Sequence, residues 1–180
     1  KFFTYLRTVK KNIDLFREEN IPILAEMNVM QQQFGVISGK MTIEVDGKEY
    51  TLQQAAKFLE NNDRKLRESV YKKVGERRLK DKESLNKLFS SLVEKRHRIA
   101  LNAGFTNYRD FKFAEMGRFD YKPEDCFQFH QAVKEKILPL VNEIYERKKK
   151  RLGLDTLRPC DLEAHPADEK ALNPFKTGDE

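Results

Sequence analysis

Apolar side chains recur at helical spacing along most of the chain, and the longest such stripe runs from Leu85 to Gly104. Residues three and four apart share one face of a helix, so this spacing is typical of amphipathic helices. Shorter stripes predict helices over about Phe2–Glu19, from Asn20 onward and over about residues 63–79. The periodicity therefore predicts a mainly α fold in which each helix buries one stripe.

The period changes to two between residues 41 and 52, where apolar and polar side chains alternate. Asp46-Gly47 at the centre of this segment is a strong signal for a tight turn between two strands. We predict one β-hairpin over about residues 41–52, packed on helices because an isolated hairpin is only marginally stable in water. Thr51 and Gln54 have the spacing of a capping box and predict a short helix directly after the hairpin.

Residues 103–125 separate the long stripe from a further helix, which is predicted to begin at Pro123 and to reach about Leu152. Ordinary connections between helices are short and polar, whereas this one is rich in glycine and aromatic residues. We therefore expect a functional loop rather than a spacer. Pro139 lies within the second helix and predicts a kink near residues 135–138.

The net charge of +6 raises the possibility of a nucleic-acid partner, and its sharpest element is the basic run Arg147–Arg151. This run lies at the predicted C-terminal end of a helix, where cations complement the helix dipole, so we favour a solvated helix end. No apolar segment approaches the length of a membrane span, and no secretory signal is visible. Cys126 and Cys160 lack disulfide or metal-site spacing, which indicates a reducing, cytoplasmic environment.

The sequence contains no complete catalytic or metal-binding motif. His97, His130 and His165 are far apart, and none begins a His-Glu-x-x-His pair. His130 falls on the apolar stripe of the helix after Pro123, so we expect a buried histidine there, whereas His97 on a basic flank is expected to be exposed. No glycine-rich phosphate loop and no nucleophile elbow is present. We therefore assign no catalytic residue and no metal ligand.

Arg118, Asp120 and Tyr121 are the polar residues that single out the end of the loop. In an extended run, Arg118 and Asp120 point to the same side. One interpretation is a buried Arg118–Asp120 ion pair that braces the loop, and this is the interpretation we favour. The other is a polar wall of a cleft, in which guanidinium and phenol groups contact a peptide backbone.

Five sequence blocks stand out together, and they are residues 41–47 with 51–56, 98–110, 115–125, 151–155 and 173–178. The most specific block is EMGRFDY at residues 115–121, followed by PED at residues 123–125. In this order the blocks resemble the oligoendopeptidase F family, which belongs with thimet oligopeptidase and neurolysin among the zinc metallopeptidases.

The resemblance implies a larger helical peptidase with a deep channel that admits short peptides. We expect Arg118, Asp120 and Tyr121 to contact substrate in this parent enzyme. It also implies one zinc, held by a His-Glu-x-x-His pair and a downstream glutamate that lie after the matched region. On this interpretation the chain is an inactive internal fragment that binds no metal. Residues 1–153 form a helical region with a β-hairpin, and residues 154–180 are an irregular connector toward the catalytic domain.

An alternative from another class is a non-catalytic helical module for protein interactions. We expect short peptides as partners of the parent enzyme and neither nucleic acid nor a membrane, while the oligomeric state is not predicted. A His-Glu-x-x-His motif in the reading frame after Glu180 would favour the peptidase, and its absence would favour the module.

Overall fold

A computed structural model of the chain describes residues 2–166 and is mainly helical with one β-hairpin, which confirms the predicted fold class. The helices are α1 (Phe3–Leu15), α2 (Asn20–Gly39), α3 (Leu52–Ala56), α4 (Arg64–Lys80), α5 (Lys82–Asn102), α6 (Tyr108–Glu115), α7 (Pro123–Ala132) and α8 (Leu138–Arg151). The strands are β1 (Thr42–Val45) and β2 (Lys48–Thr51), and shorter helical turns are the 3-10 helices Lys57–Glu60 and Pro159–Asp161 and the π-helix Val133–Ile137. In this part of the chain, no helix has the length and apolar character of a membrane span.

Contacts between residues divide the described chain into two compact units. Unit 1 comprises residues 2–40 and 80–135, and unit 2 comprises residues 41–79 and 136–166. The predicted division at residue 153 rests on the loss of helical periodicity and stays a prediction. The resemblance block at residues 173–178 lies outside the described residues.

Unit 1 is built on the packing of α2 against α5, with α6 packed on α5. Its core consists of apolar side chains from these helices and the α5–α6 connection: Met27, Leu88, Leu92, Ile99, Ala100, Ala103 and Phe111. Asn20 at the start of α2 is buried, and its amide donates a hydrogen bond of 3.2 Å to the carbonyl of Ile99. Asn102 donates a second bond of 2.7 Å to the Asn20 side-chain oxygen, so both polar atoms of the Asn20 amide are satisfied.

The hairpin in unit 2 has the predicted turn, and its two strands pair antiparallel. Ile43 lies opposite Tyr50, and both turn residues, Asp46 and Gly47, have positive φ values of 51° and 74°. Thr51 and Gln54 form the predicted capping box at the start of α3. The inner face of the hairpin packs with α3 and α4 in a core of Ile43, Val45, Ala55 and Val70. This packing supplies the apolar contacts that a two-stranded sheet lacks by itself.

A buried carboxylate ties the end of unit 2 to the start of α4. Asp161 is 0% exposed, and it accepts hydrogen bonds of 2.7 Å from Arg67 and 2.9 Å from Arg64. The backbone N–H of Arg158 donates a third bond of 2.9 Å. Burial alone raises the pKa of Asp161, but the hydrogen bonds from Arg67, Arg158 and Arg64 outweigh it and hold the pKa below its usual range. Sequence periodicity gave no sign of this cluster.

Three expectations about helix ends need correction. Helix α1 ends at Leu15 rather than near Glu19, because the backbone of Phe16 is extended. Asp81 directly precedes α5, where an aspartate is expected to cap the helix, but its side chain makes no capping hydrogen bond. The helix after Pro123 is interrupted by the π-helix Val133–Ile137, close to the predicted kink, and Pro139 then lies in the first turn of α8. A proline is tolerated there because first-turn N–H groups have no partner within the helix.

We expect Asp161→Asn to destabilise the chain by about 3 kcal/mol near neutral pH, because it leaves the buried guanidinium of Arg67 without its counter-charge. Since the pKa of Asp161 is lowered by folding, its contribution is present above about pH 4 and is lost as the pH falls further. In urea denaturation, the difference in the free energy of unfolding between wild type and variant should therefore become smaller in acid. Asp155→Asn, at an exposed site, is the matched control, and an equal effect of the two variants would contradict this role.

Candidate functional site

The first half of the segment 103–125 is a helix and its flanks, not the loop that the sequence predicted. Gly104 ends α5 with a φ of +86°, and Asn107 caps α6 by accepting a hydrogen bond of 3.0 Å from the backbone N–H of Asp110. Phe111 is buried against α5, and its ring meets Phe105 edge-on at 5.7 Å. The aromatic side chains that suggested a functional loop therefore serve largely to pack α6 in the core of unit 1.

Gly117 sets the path of the chain after α6. Its φ of +66° is a left-handed conformation that glycine adopts readily, and the N–H groups of Gly117 and Arg118 donate to the carbonyls of Ala114 and Phe113. A Cβ atom at this position would lie 3.3 Å from the ring of Phe119. Residues 116–119 thus form a tight helix end, which fixes the backbone positions of Arg118 and Phe119.

Arg118 is held by aromatic rings rather than by Asp120. Its guanidinium carbon lies 4.9 Å from the ring centre of Phe113 and 5.8 Å from that of Tyr121. These two rings meet edge-on at 5.5 Å, so they form a fixed support for the cation. Arg118 and Tyr121 therefore lie together, as the hypothesis of a polar wall requires, while their contact with substrate stays a prediction.

Asp120 pairs with Arg7 of α1, so the expected Arg118–Asp120 pair is wrong. Two hydrogen bonds, of 3.0 and 3.3 Å, join the Arg7 guanidinium to the Asp120 carboxylate. Arg7 also lies over the ring of Phe119 at 4.2 Å and near that of Phe3 at 5.3 Å. The Asp120 side chain is 76% exposed, which shows that this pair lies at the surface instead of bracing a buried loop.

A groove in unit 1 lies between α6, residues 116–118 and the first turns of α7. It is lined by the apolar side chains of Phe113, Met116 and Phe127 and by the cations Arg109, Lys112 and Arg118. Within the described part of the chain, no Asp or Glu side chain lines this groove. The sequence predicted Arg118 as a site residue but missed Arg109 and Lys112, because these two lie earlier in the sequence, on α6.

The histidines do not form a metal site among residues 2–166, where no group of three His, Cys, Asp or Glu side chains is placed to hold an ion. His97 is exposed as expected. His130 is also exposed, so its predicted burial is wrong: α7 has no buried residue, although its apolar residues have helical spacing. His165 is exposed and remote in sequence from both.

Carboxylates beside the groove are already engaged by cations of α6. Arg109 donates a hydrogen bond of 2.8 Å to Asp110, and this bond, with one from Asn107, lowers the pKa of Asp110. Lys112 pairs with Glu115, which raises the pKa of Lys112. These pairs are short-range contacts within α6, and they balance the charge of two of the three cations that line the groove.

We expect the Arg7–Asp120 interaction to contribute less than about 1 kcal/mol, because the carboxylate is largely exposed. A double-mutant cycle with Arg7→Gln and Asp120→Asn, read by urea denaturation, measures this coupling. Arg7→Ala should cost more than Asp120→Asn, since it also removes the contact with the Phe119 ring. A coupling above about 2 kcal/mol, or equal losses from both single variants, would contradict this view.

Comparison with known proteins gives the fold and the family. The family model described as peptidase family M3 matches residues 57–179. A crystal structure assigned to an oligoendopeptidase F from Bacillus anthracis str. Ames matches with a TM-score of 0.82 and 25% identity, over 88% of this chain and 29% of the other. A comparison with curated proteins found no match.

Two further structures share the fold. One is of PZ peptidase A with an inhibitor, with a TM-score of 0.82 and 24% identity over 86% of this chain and 28% of the other. The second is of an oligoendopeptidase F, with a TM-score of 0.84 and 24% identity over 88% and 28%. The chain thus spans less than a third of the length of each solved structure that it matches. Because the family model covers more than half of the sequence, the chain belongs to peptidase family M3.

Proposed function

We propose that this chain is part of a zinc-dependent metallopeptidase that hydrolyses short peptides in the cytoplasm. The observation that carries the proposal is the match to peptidase family M3 over residues 57–179, supported by the fold shared with an oligoendopeptidase F. The fold resembles under a third of that enzyme, so activity and substrates belong to a longer protein. Cys126 and Cys160 are both free thiols, which suits a reducing compartment.

The residues of this chain do not fit a zinc site. The sequence has no His-Glu-x-x-His pair, and residues 2–166 bring no three candidate ligands together. The chain also lacks the glutamate of that motif, which serves as general base in such peptidases. We therefore assign it a supporting role, in which helices and the hairpin form part of the peptidase around the metal centre, and we derive no step of hydrolysis from its residues.

Arg118 and Tyr121 are the residues that we propose as substrate contacts in the parent enzyme, with Asp120 as a third. Arg118 offers several N–H donors and forms no ion pair within the described part of unit 1. The Tyr121 ring is partly exposed beside it, and its hydroxyl is able to donate or accept a hydrogen bond. Asp120 is already engaged by Arg7, so we expect it to act chiefly by holding the segment in place.

A non-catalytic interaction module remains the second candidate, and one observation favours it. Large apolar side chains are exposed on several helices, among them Phe34, Phe89, Phe127 and Phe129. Exposed apolar area of this kind commonly contacts another polypeptide. In the peptidase that polypeptide is the remainder of the enzyme, whereas in the module it is a separate protein. A His-Glu-x-x-His motif encoded in the same reading frame favours the peptidase.

We expect the 180-residue chain alone to bind no stoichiometric zinc and to cleave no peptide, because it lacks both the ligand pair and the general base. Elemental analysis after dialysis and a quenched-fluorescence peptide assay measure the two properties. One tightly held zinc per chain, or peptide cleavage that a chelator abolishes, would contradict the supporting role.

In the zinc-containing parent enzyme, Arg118→Gln should lower kcat/KM about tenfold, through the loss of charge-assisted hydrogen bonds to substrate. Tyr121→Phe should have a smaller effect in the same direction, and Asp120→Asn the smallest of the three. Arg98→Gln, which removes an exposed cation of α5, is the matched control. Peptide kinetics of Arg118→Gln that equal those of Arg98→Gln would remove Arg118 from the substrate site.

A further inference from the structure

The groove beside α6 combines apolar walls with an excess of positive charge. Phe127 is 54% exposed and Met116 is also exposed, so both present apolar surface to a bound molecule. Three cations line the groove, and no carboxylate among the described residues does so. Such a surface suits a ligand that carries an apolar group next to a negative charge.

The three cations differ in how far their charge is already balanced. Arg109 is paired with Asp110, and Lys112 is paired with Glu115. Arg118 has no carboxylate partner within the described part of unit 1, and its contacts are the rings of Phe113 and Tyr121. Ring contacts leave the N–H groups of a guanidinium available for an incoming acceptor. Arg118 is therefore the uncompensated charge of the groove.

Arg118 is also preorganised for binding. The Gly117 turn fixes its backbone, since the N–H of Arg118 donates a hydrogen bond of 3.2 Å to the carbonyl of Phe113. The two rings, which meet edge-on, then limit the orientations of its guanidinium. A side chain whose freedom is already restricted loses less entropy when a ligand binds. A planar guanidinium fork matches the two oxygens of a carboxylate.

We propose that this groove binds the carboxylate of a short peptide through Arg118, with the adjacent apolar side chain packed against Phe127 and Met116. The proposal rests on the peptide substrates proposed above and specifies the chemical group that is recognised. The carboxylate comes from the peptide C-terminus or from an Asp or Glu side chain, which share the same chemistry. A nucleic acid is disfavoured, because its affinity depends on several uncompensated cations that contact phosphates and the groove has one.

Isothermal titration calorimetry on the 180-residue chain tests this with three N-acetylated tetrapeptides. The first ends in leucine with a free carboxylate, the second ends in leucinamide, and the third ends in leucinamide preceded by glutamate. We expect the first to bind about tenfold more tightly than the second, with affinity that falls as salt rises. Tight binding of the third identifies a side-chain carboxylate as a second source. Equal affinity of all three peptides would overturn the proposal.

Variants separate recognition from folding. Arg118→Gln should lose the preference for the free carboxylate, and Arg118→Lys should restore part of it, because lysine keeps the charge without the fork. Arg98→Gln should behave as wild type. Phe127→Ala, at an exposed site of α7, should weaken the binding of peptides that end in leucine but not of peptides that end in alanine. This variant tests the apolar wall even if the Arg118→Gln chain does not fold. Unchanged preference in a folded Arg118→Gln chain would overturn the proposal.

Failure of the carboxylate site and failure of the proposed peptidase function would give different results. Peptide binding by the chain alone requires neither zinc nor hydrolysis, so the absence of peptidase activity in the parent protein would leave a positive titration intact. Conversely, the parent enzyme could cleave peptides although the chain alone shows no preference for a free carboxylate. That result would support the peptidase function and contradict only the carboxylate site.

Discussion

Stacking of arginine on aromatic rings holds the segment after α6 in place. Arg7 lies over Phe119, and Arg118 lies over Phe113 and Tyr121, so both cations are fixed by rings from residues 113–121. Helix α1 has no buried residue of its own. Its described polar contacts with this region are the Arg7–Asp120 pair and a hydrogen bond from Lys11 to the carbonyl of Glu115. Without the rings, a surface ion pair and one partly buried hydrogen bond would contribute little to stability.

Unit 2 depends on a different kind of interaction. Asp161 and Arg67 are 0% and 2% exposed, and Arg67 also donates hydrogen bonds to the carbonyls of Asn61 and Asn62. Each charge is therefore both paired and hydrogen-bonded, the condition under which a buried ion pair is tolerated. This network connects α4 with the 3-10 helix Pro159–Asp161. The segment of unit 1 that bears Arg118, in contrast, lies at the surface. A ligand is thus able to reach Arg118, while the Asp161 cluster is a structural feature.

Local signals in the sequence were sufficient for the hairpin, for the capping box at Thr51 and for the end of α5 at Gly104. Each depends on residues within a few positions of one another. The family was also recognisable, because five sequence blocks occur together in the family's order, with EMGRFDY the most specific of them. Helix α6 was missed although its cap, Asn107, was present, because the glycine and aromatic content around it is typical of loops.

Contacts between residues that are distant in sequence could not be predicted from the sequence alone. Arg7 and Asp120 are 113 positions apart, so the alternation of Arg118 and Asp120 suggested a pair that the fold does not make. The exposure of His130 was missed for a related reason: periodicity shows which residues share a helical face, but not whether another element covers that face. Arg118 was found because it lies in the specific block, whereas its ring contacts with Phe113 and Tyr121 depend on the turn at Gly117.

The turn at Gly117 presents Arg118 as an uncompensated cation, which we propose to bind the carboxylate of a peptide. Two-dimensional NMR of the isotope-labelled chain during titration with N-acetyl-leucine or N-acetyl-leucinamide tests it residue by residue. We expect the free acid to shift the signals of Arg118, Met116 and Phe127, and the amide to leave them nearly unchanged. Shifts of equal size from both compounds, or shifts confined to residues outside the groove, would contradict carboxylate binding by Arg118.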